Sequence, residues 1–234
     1  MIGIIDYDSG HLLNLASAVK RADGEFTLIN SMPNEQIDKL IIYAGIKVTE
    51  FLSFLKNSEL DKYIVNAFSR KIPILAINNG LHVLYDVSEK QNDTEIIEGL
   101  HLIPGRIRTI SQKIHADSFA GWNTLKTNRE FGIKVKLNLL KGINIVQNAM
   151  FYFNQTNYVE PDDMSTVFAF SNLKDNTPKS PEKTNEMLIP AIINHENIWG
   201  IEFLPEKSER IGIKLLRNFV NFVPLNNTED NNNI

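Results

Sequence analysis

The 234-residue sequence contains no cysteine. This absence excludes disulfides, thiolate metal sites and catalysis by an activated thiol, since the thiolate is the attacking group in that chemistry. No apolar run approaches the ~20 residues that a membrane-spanning helix requires. The opening apolar segment, Met1–Asp6, is too short for a signal peptide and ends in an acid. We therefore expect a cytoplasmic protein that uses no metal or cofactor and does not bind a membrane.

Basic residues are also few. Lys and Arg number 24 against 28 Asp and Glu, which gives a formal net charge of -4. Phosphate backbones are bound by basic surfaces, so nucleic acid is not the expected partner. Hydrophobic residues make up 43% and charged residues 22% of the chain. These values are typical of a compact globular domain with a sizeable core.

In the first part of the chain, short apolar runs alternate with helical spacings of apolar residues. Strands are predicted at residues 2–5, 26–29, 40–43 and 72–77. Helices are predicted at residues 12–22, 51–55 and 63–68, and another is predicted to start with Leu81, Leu84 and Tyr85. Alternating strands and helices indicate βαβ units and a parallel sheet.

After about residue 95 the pattern changes to strands separated by short polar turns. These strands are predicted at residues 100–103, 106–110, 122–125, 151–153, 166–170, 188–193 and 198–203. Arg210–Val220 is predicted to be a closing helix, with Pro205 and Glu206 in its first turn. Residues 171–186 are expected to form an exposed loop.

The predicted fold class is therefore α/β. We expect a mixed, largely parallel sheet flanked by helices, with antiparallel strands added by the second half of the chain. A single domain is expected over residues 1–224. Residues 225–234 form a polar, asparagine-rich stretch, which predicts a disordered tail.

The segment from Pro73 to His82 reads as a strand, a sharp turn and a helix. Hydrolases use this arrangement to project a nucleophile at the carboxyl edge of a sheet. Asn78 occupies the turn, where asparagine tolerates a positive φ better than most residues. Its amide nitrogen is delocalised into the carbonyl and is not a useful nucleophile. The segment alone favours the alternative of an ordinary βα turn, for which Asn-Asn-Gly is common.

Six further segments, which follow one another in the same order as in a known family, favour the elbow over an ordinary turn. They are Ile4–Tyr7 with Gly10, Glu98–Gly105, Gly121–Asn123, Phe151–Phe153, Tyr158–Pro161, and Pro205–Ser208 followed by Leu215–Phe219. Together they resemble the glutaminase subunit of imidazole glycerol phosphate synthase, a class I glutamine amidotransferase, over about residues 2–222. The resemblance implies the flavodoxin-like fold of class I glutamine amidotransferases.

The resemblance also implies a catalytic Cys-His-Glu triad, whose positions here hold Asn78, Leu204 and Glu206. In such a triad the thiolate attacks the glutamine amide, the histidine moves protons and the glutamate orients the histidine. Leu204 cannot carry a proton, so Glu206 has no imidazole to orient. We favour the interpretation of Glu206 as a first-turn helix acid. Intrinsic glutaminase activity is therefore predicted to be absent, which would make the chain a pseudoenzyme.

The family's pocket positions differ as well. Gly45 and Lys47 lie in the stretch that corresponds to the oxyanion segment, where Lys47 replaces a glycine and either fills the pocket or lies on an exposed loop. His82 replaces the glutamine that binds substrate, and the simplest interpretation is a packed or surface histidine. Gln155 and Thr156 fall on the family's His-Ser/Thr-Tyr stretch, of which only Thr156 is retained.

Trp122 and Lys207 match positions that face the family's partner, a cyclase-type (β/α)8 barrel. The resemblance implies a heterodimer with such a barrel in histidine biosynthesis. The alternative to an interface role is that Trp122 is a core aromatic and that Lys207 is a solvated lysine. His11 stands near the same interface, where the family usually has asparagine.

The leading hypothesis is a non-catalytic, glutaminase-like subunit that supports such a barrel structurally or allosterically. One alternative is an enzyme with altered chemistry in the same cleft, using Lys47, His82 or Glu206. Another is a subunit of a related synthase that amidates a surface sugar.

Overall fold

A computed structural model describes residues 1–5, 7, 12–45, 47–89, 96–112, 118–127, 139–145, 149–174 and 186–223. His11, the expected domain end at residue 224 and the predicted tail 225–234 lie outside these ranges. Within them the helices are α1 (Leu12–Arg21), α2 (Val48–Asn57), α3 (Leu60–Ser69), α4 (Asn79–His82) and α5 (Glu209–Val220).

Thirteen strands lie in the described ranges. In chain order they are β1 (Ile2–Ile5), β2 (Phe26–Ile29), β3 (Lys39–Ala44), β4 (Ile74–Asn78), β5 (Tyr85–Glu89), β6 (Ile96–Glu98), β7 (Ile103–Thr109), β8 (Phe119–Thr127), β9 (Met150–Gln155), β10 (Asn157–Pro161), β11 (Val167–Lys174), β12 (Glu186–His195) and β13 (Ile198–Ile201).

Nine of these described strands form one mixed sheet in the order β2-β1-β3-β4-β13-β12-β11-β8-β9. The strands from β2 to β13 in this order are parallel to one another. The remaining neighbours, from β13 through β12, β11 and β8 to β9, pair antiparallel. The predicted mixed α/β sheet with added antiparallel strands is therefore confirmed.

The central strands β3 and β4 are buried on both faces, which explains why they are continuously apolar. Ile41 and Leu75 pack on the face that α1 and α5 cover. Their neighbours Ile42 and Ala76 pack on the opposite face, together with α2 and α3. Successive side chains of a strand point to opposite faces, so each of these strands contributes to two cores.

A second sheet was not anticipated. Within the described ranges it has four strands in the order β10-β7-β5-β6. Tyr85, Ile103, Ile107 and Val159 from this sheet join the core on the α2–α3 side of the large sheet. The predicted strand at residues 100–103 is therefore misplaced, because β7 begins only at Ile103.

The helix predicted from Leu81 through Tyr85 is wrong beyond its first turn. It ends at His82, and Tyr85 begins β5. The carbonyl of Val83 accepts a hydrogen bond from Leu100 N–H at 2.8 Å, and the Leu84 carbonyl accepts from Leu102 N–H at 2.9 Å. These partners from the following segment take the acceptors that a longer helix would need.

Two boundaries in the second half also differ from prediction. Pro205–Lys207 forms a separate 3-10 turn, and α5 starts at Glu209, whose φ of 51° interrupts the helical path. The expected loop at 171–186 is shorter, because β11 continues to Lys174 and β12 begins at Glu186. Residues 175–185 lie outside the described ranges.

Gly80 sets the distance between α4 and β3. A Cβ atom added at Gly80 would lie 2.2 Å from the carbonyl oxygen of Ile42, a backbone atom that cannot swing away. We expect Gly80→Ala to lower the free energy of unfolding by about 1–3 kcal/mol, the usual cost of overpacking. Urea denaturation measures this. Ser53→Ala, at an exposed position of α2, should stay within about 0.5 kcal/mol, and equal stability of both variants would contradict the close packing.

Candidate functional site

The turn between β4 and α4 holds Asn78 in an unusual backbone conformation. Its φ is 52° and its ψ is -126°. A non-glycine residue in such a region costs about 1–3 kcal/mol and persists only when its surroundings compensate. The strand–turn–helix arrangement predicted for this segment is present, with a sharp elbow at Asn78.

The side chain of Asn78 is fully engaged with the backbone. Its Nδ2 donates to the carbonyls of Asn154 and Glu202, each at 3.1 Å. These bonds join the end of β4 to β9 and to the residue that follows β13. They stabilise the strained elbow, because both carbonyls would otherwise lose a partner in a buried region.

The same side chain occupies a backbone donor of the elbow. Oδ1 of Asn78 accepts a hydrogen bond from Asn79 N–H at 2.9 Å. In nucleophile elbows, the N–H that follows the nucleophile is one of the donors that stabilise the oxyanion. Here that donor already bonds to the carboxamide of Asn78, so it cannot hold a substrate carbonyl at the same time.

A cavity of about 180 Å³ opens beside the elbow. Among the residues predicted from sequence, those that line it are Asn78, Leu204, Gly45, Gln155, Thr156 and Lys207. Four further residues line it. Ala44 and Asn79 belong to the predicted oxyanion segment and elbow turn, whereas Tyr43 and Asn154 were missed by sequence reasoning. None of the described lining residues is a histidine, an aspartate or a glutamate. Proton transfer by a group with a pKa near neutrality therefore has no residue to perform it in this part of the wall.

Leu204 places an apolar side chain in the cavity wall. It is 5% exposed and lies in the core on the α1–α5 side of the sheet. Its N–H donates to the carbonyl of Tyr152 at 2.8 Å, which fixes the backbone just before the 3-10 turn. A leucine here contributes packing and no proton transfer.

Glu206 interacts with a tyrosine. Tyr43 Oη donates to Glu206 Oε1 over a long 3.4 Å, and the other carboxylate oxygen has no partner among the described residues. Burial raises the pKa of Glu206. Burial, followed by the nearby charge of Glu206, raises the pKa of Tyr43. Glu206 is a first-turn acid, as in the favoured interpretation, but its helix is the short 3-10 turn Pro205–Lys207 that precedes α5.

His82 lies away from the cavity, in the core below the elbow. It is 2% exposed, and its Nε2 lies 3.1 and 3.0 Å from the two carboxylate oxygens of Glu202. Glu202 Oε1 also accepts from Val159 N–H at 3.1 Å. His82 is therefore the packed histidine of the simpler interpretation.

Glu202 is a buried neighbour of the elbow that sequence reasoning missed. It is fully buried, and fully buried carboxylates are rare unless they are paired. A signal was available, since Glu202 is the charged residue in the otherwise apolar run Ile198–Leu204. Its partner His82 could not be identified, because the two residues are 120 positions apart.

Lys47 is exposed and stands at the start of α2, outside the set of residues that line the cavity. It thus fits the exposed-loop alternative and not the pocket-filling one. Trp122 is 42% exposed, which excludes the core-aromatic alternative. Its ring meets Tyr152 edge to face at 5.7 Å between centroids.

Lys207 connects this aromatic pair to the cavity. Its Nζ lies 5.7 Å from the centroid of the Tyr152 ring, within the range of a cation–π contact. Trp122, Tyr152 and Lys207 form a contiguous row, which we call the aromatic row, and its last member also lines the cavity.

The described residues contain no group of three or more potential metal ligands. None of the described helices is long and apolar enough to cross a membrane.

Comparison with known proteins gives relatives along nearly the whole chain. The chain is 30% identical over 221 residues to "Imidazole glycerol phosphate synthase subunit HisH" of Methanocaldococcus jannaschii, covering 94% of this chain and 98% of that protein. It is 28% identical over 232 residues to the protein of the same name from Geobacillus sp., covering 95% and 97%. No family model matches the chain.

Solved structures give the same fold. A glutamine amidotransferase crystal structure matches with a TM-score of 0.65 at 12% identity, covering 94% of this chain and 97% of that chain. PurLQS from Thermotoga maritima matches with a TM-score of 0.66 at 14% identity and the same coverage. The fold predicted from the sequence, that of glutamine amidotransferases, is confirmed.

The raised pKa of Glu206 predicts a pH-dependent effect on stability. An acid whose pKa is higher in the folded than in the unfolded state stabilises the fold only while protonated. Stability from this group is therefore present below the ordinary value of 4.5 and is lost as pH rises through the raised pKa. We expect Glu206→Gln to be more stable than the parent at neutral pH, with the difference vanishing below pH 4.5.

Urea unfolding between pH 4 and 8 measures the effect. Glu25→Gln, at an exposed position, serves as the control and should show no comparable growth of the difference with pH. A stability difference for Glu206→Gln that stays constant over this range would contradict the burial of the carboxyl group.

Proposed function

The chain belongs to the family of the imidazole glycerol phosphate synthase subunit HisH, and from this premise we propose that it is a non-catalytic subunit of such a synthase. It binds a cyclase-type (β/α)8 barrel and does not hydrolyse glutamine. Its contribution to histidine biosynthesis is then structural or allosteric, and ammonia comes from another source.

The observation that carries this proposal is the bonding of Asn78. A glutaminase of this kind needs a thiolate at the elbow. The residue at this position has a side chain whose three hydrogen bonds all go to backbone groups. It supplies no nucleophile, and it occupies the N–H of Asn79. Asn78 therefore removes both the nucleophile and one donor of the oxyanion site.

The rest of the triad supports the same conclusion. Leu204 stands in the cavity wall without a titratable group. Glu206 has exchanged an imidazole partner for Tyr43. An enzyme with altered chemistry in this cleft would need a base among the lining residues, and neither His82 nor Lys47 is one of them. That alternative is therefore weaker.

The aromatic row supports a retained partner surface. An exposed tryptophan held in place by Tyr152 loses little side-chain entropy on binding, and aromatic anchors of this type carry much of the energy of protein interfaces. Lys207 adds a charge beside it. This surface adjoins the cavity, so a partner seated on it would cover the cavity mouth.

Glutamine hydrolysis by the chain, alone and mixed with the cyclase subunit of the same organism, tests the loss of chemistry. We expect no glutamate release above the buffer rate for either sample. Asn78→Cys should also be inactive, because the thiol has no base at position 204, whereas Asn78→Cys combined with Leu204→His should release glutamate at a detectable rate. Hydrolysis by the parent chain or by Asn78→Cys alone would contradict the proposal.

Association with the barrel is tested separately by calorimetric titration. We expect Trp122→Ala to raise the Kd about 10- to 30-fold, the effect of truncating an aromatic anchor. Val65→Ala removes an apolar side chain of α3 that is 40% exposed and should leave the Kd unchanged. Failure of the parent chain to bind the barrel would refute the partner assignment.

A further inference from the structure

The torsion angle of the elbow brings a backbone nitrogen next to the side chain of Asn78. Viewed along the Cα–C bond of an L-residue, Cβ stands about one third of a turn from the residue's own nitrogen, on the side that negative ψ values approach. A ψ of -126° turns the nitrogen of Asn79 by almost that amount. The Asn79 nitrogen therefore eclipses Cβ of Asn78, whereas helical and extended values of ψ keep these two atoms apart.

The carboxamide of Asn78 lies on the same side of the turn. Its Oδ1 accepts from the N–H of Asn79 at 2.9 Å, so Cγ, which is bonded to that oxygen, lies beside the Asn79 nitrogen. This nitrogen, the carbonyl carbon, Cα, Cβ and Cγ are the five atoms of a succinimide ring. Such a ring is nearly planar and needs an eclipsed Cα–C bond. The elbow already holds this torsion, which an unfolded chain reaches only with strain.

The nitrogen that would leave is held by two acceptors. Nδ2 of Asn78 donates to the carbonyls of Asn154 and Glu202, each at 3.1 Å. This nitrogen takes up a proton as its bond to Cγ breaks, and charged donors form hydrogen bonds roughly twice as strong as neutral ones. The two bonds therefore strengthen toward the transition state, which is the condition for acceleration. The adjoining cavity of about 180 Å³ is large enough for the water that exchanges protons with the site.

We propose that Asn78 is a site of self-modification, at which the chain releases ammonia and forms a succinimide with Asn79. Hydroxide removes the proton of the Asn79 N–H, the nitrogen attacks Cγ, and the Cγ–Nδ2 bond breaks as ammonia leaves with a proton from water. Water then opens the ring at either carbonyl, giving aspartate or isoaspartate. Aspartate would turn a carboxylate toward two carbonyl oxygens, so we expect the uncharged ring to persist. The inference goes beyond the proposed function and does not depend on it.

Peptide mapping by mass spectrometry measures this reaction. The chain is incubated at mildly alkaline pH, both folded and unfolded in urea, and then digested at acidic pH so that the ring survives. Loss of one ammonia marks the ring, and isoaspartate marks its hydrolysis. We expect the rate at Asn78 to be about tenfold or more higher in the folded than in the unfolded chain, because the folded backbone already holds the ring torsion.

Two asparagines of the same chain serve as internal controls. Oδ1 of Asn123 also accepts from the following N–H, that of Thr124, at 2.8 Å. Asn123 lies in β8, however, where an extended ψ keeps that nitrogen away from Cβ. Asn79 precedes Gly80, which hinders attack least, so Asn79 should react fastest in the unfolded chain. It lies in α4 in the folded chain. At both sites we expect folding to slow the reaction.

Asn78→Gln keeps the carboxamide and adds one methylene, so its ring would have six members and would not match the elbow torsion. We expect no ammonia loss at this site while the parent reacts. A folded-to-unfolded rate ratio at Asn78 below about tenfold, or no larger than the ratio at Asn123, would overturn the inference. Ammonia loss by the variant at the parent's rate, or aspartate without a trace of the ring in the parent, would do the same. Glutamate release, which tests the proposed function, does not register this reaction, so each proposal fails separately.

Discussion

The arrangement of the site depends on the contacts of the Glu202 carboxyl group. It is fully buried, and it meets His82 of α4 and the N–H of Val159 in the second sheet. The backbone carbonyl of the same residue accepts from Asn78. One residue thus connects the elbow, the short helix and both sheets. A buried polar group that loses its hydrogen-bond partner carries a desolvation penalty. The loss of any one of these contacts would therefore weaken the others.

Within that frame, Asn78 gives the elbow a structural role. A strained backbone at an active site is ordinarily compensated by its surroundings. Here part of the compensation comes from the strained residue, through bonds from its Nδ2 to two carbonyls on neighbouring strands. A thiol is a weak hydrogen-bond donor and could not replace them. The carboxamide that stabilises the turn is also a poor nucleophile, because its nitrogen is delocalised into the carbonyl.

The alternation of apolar runs and helical spacings was sufficient to predict the large sheet, since each central strand is covered on both faces and is therefore continuously apolar. The second sheet was missed because its strands are defined by long-range pairing, such as that of β7 with β10. The local pattern likewise predicted that Tyr85 is helical. The helix ends earlier because the carbonyls of Val83 and Leu84 accept hydrogen bonds from a later segment of the chain. In the site, the family resemblance pointed to Asn78 and Leu204. Tyr43 carried no local motif, and the partner of Glu202 could not be predicted, because both depend on contacts between distant parts of the chain.

The short passage from β9 to β10 has a mechanical consequence. Thr156 is the one residue between β9, which ends the large sheet, and β10, which ends the second sheet. Its carbonyl accepts from Ile110 N–H at 2.9 Å, so the corner is braced. Thr156 is also part of the cavity wall. The shape of the cavity wall at Thr156 therefore depends on how the two sheets are oriented at this corner.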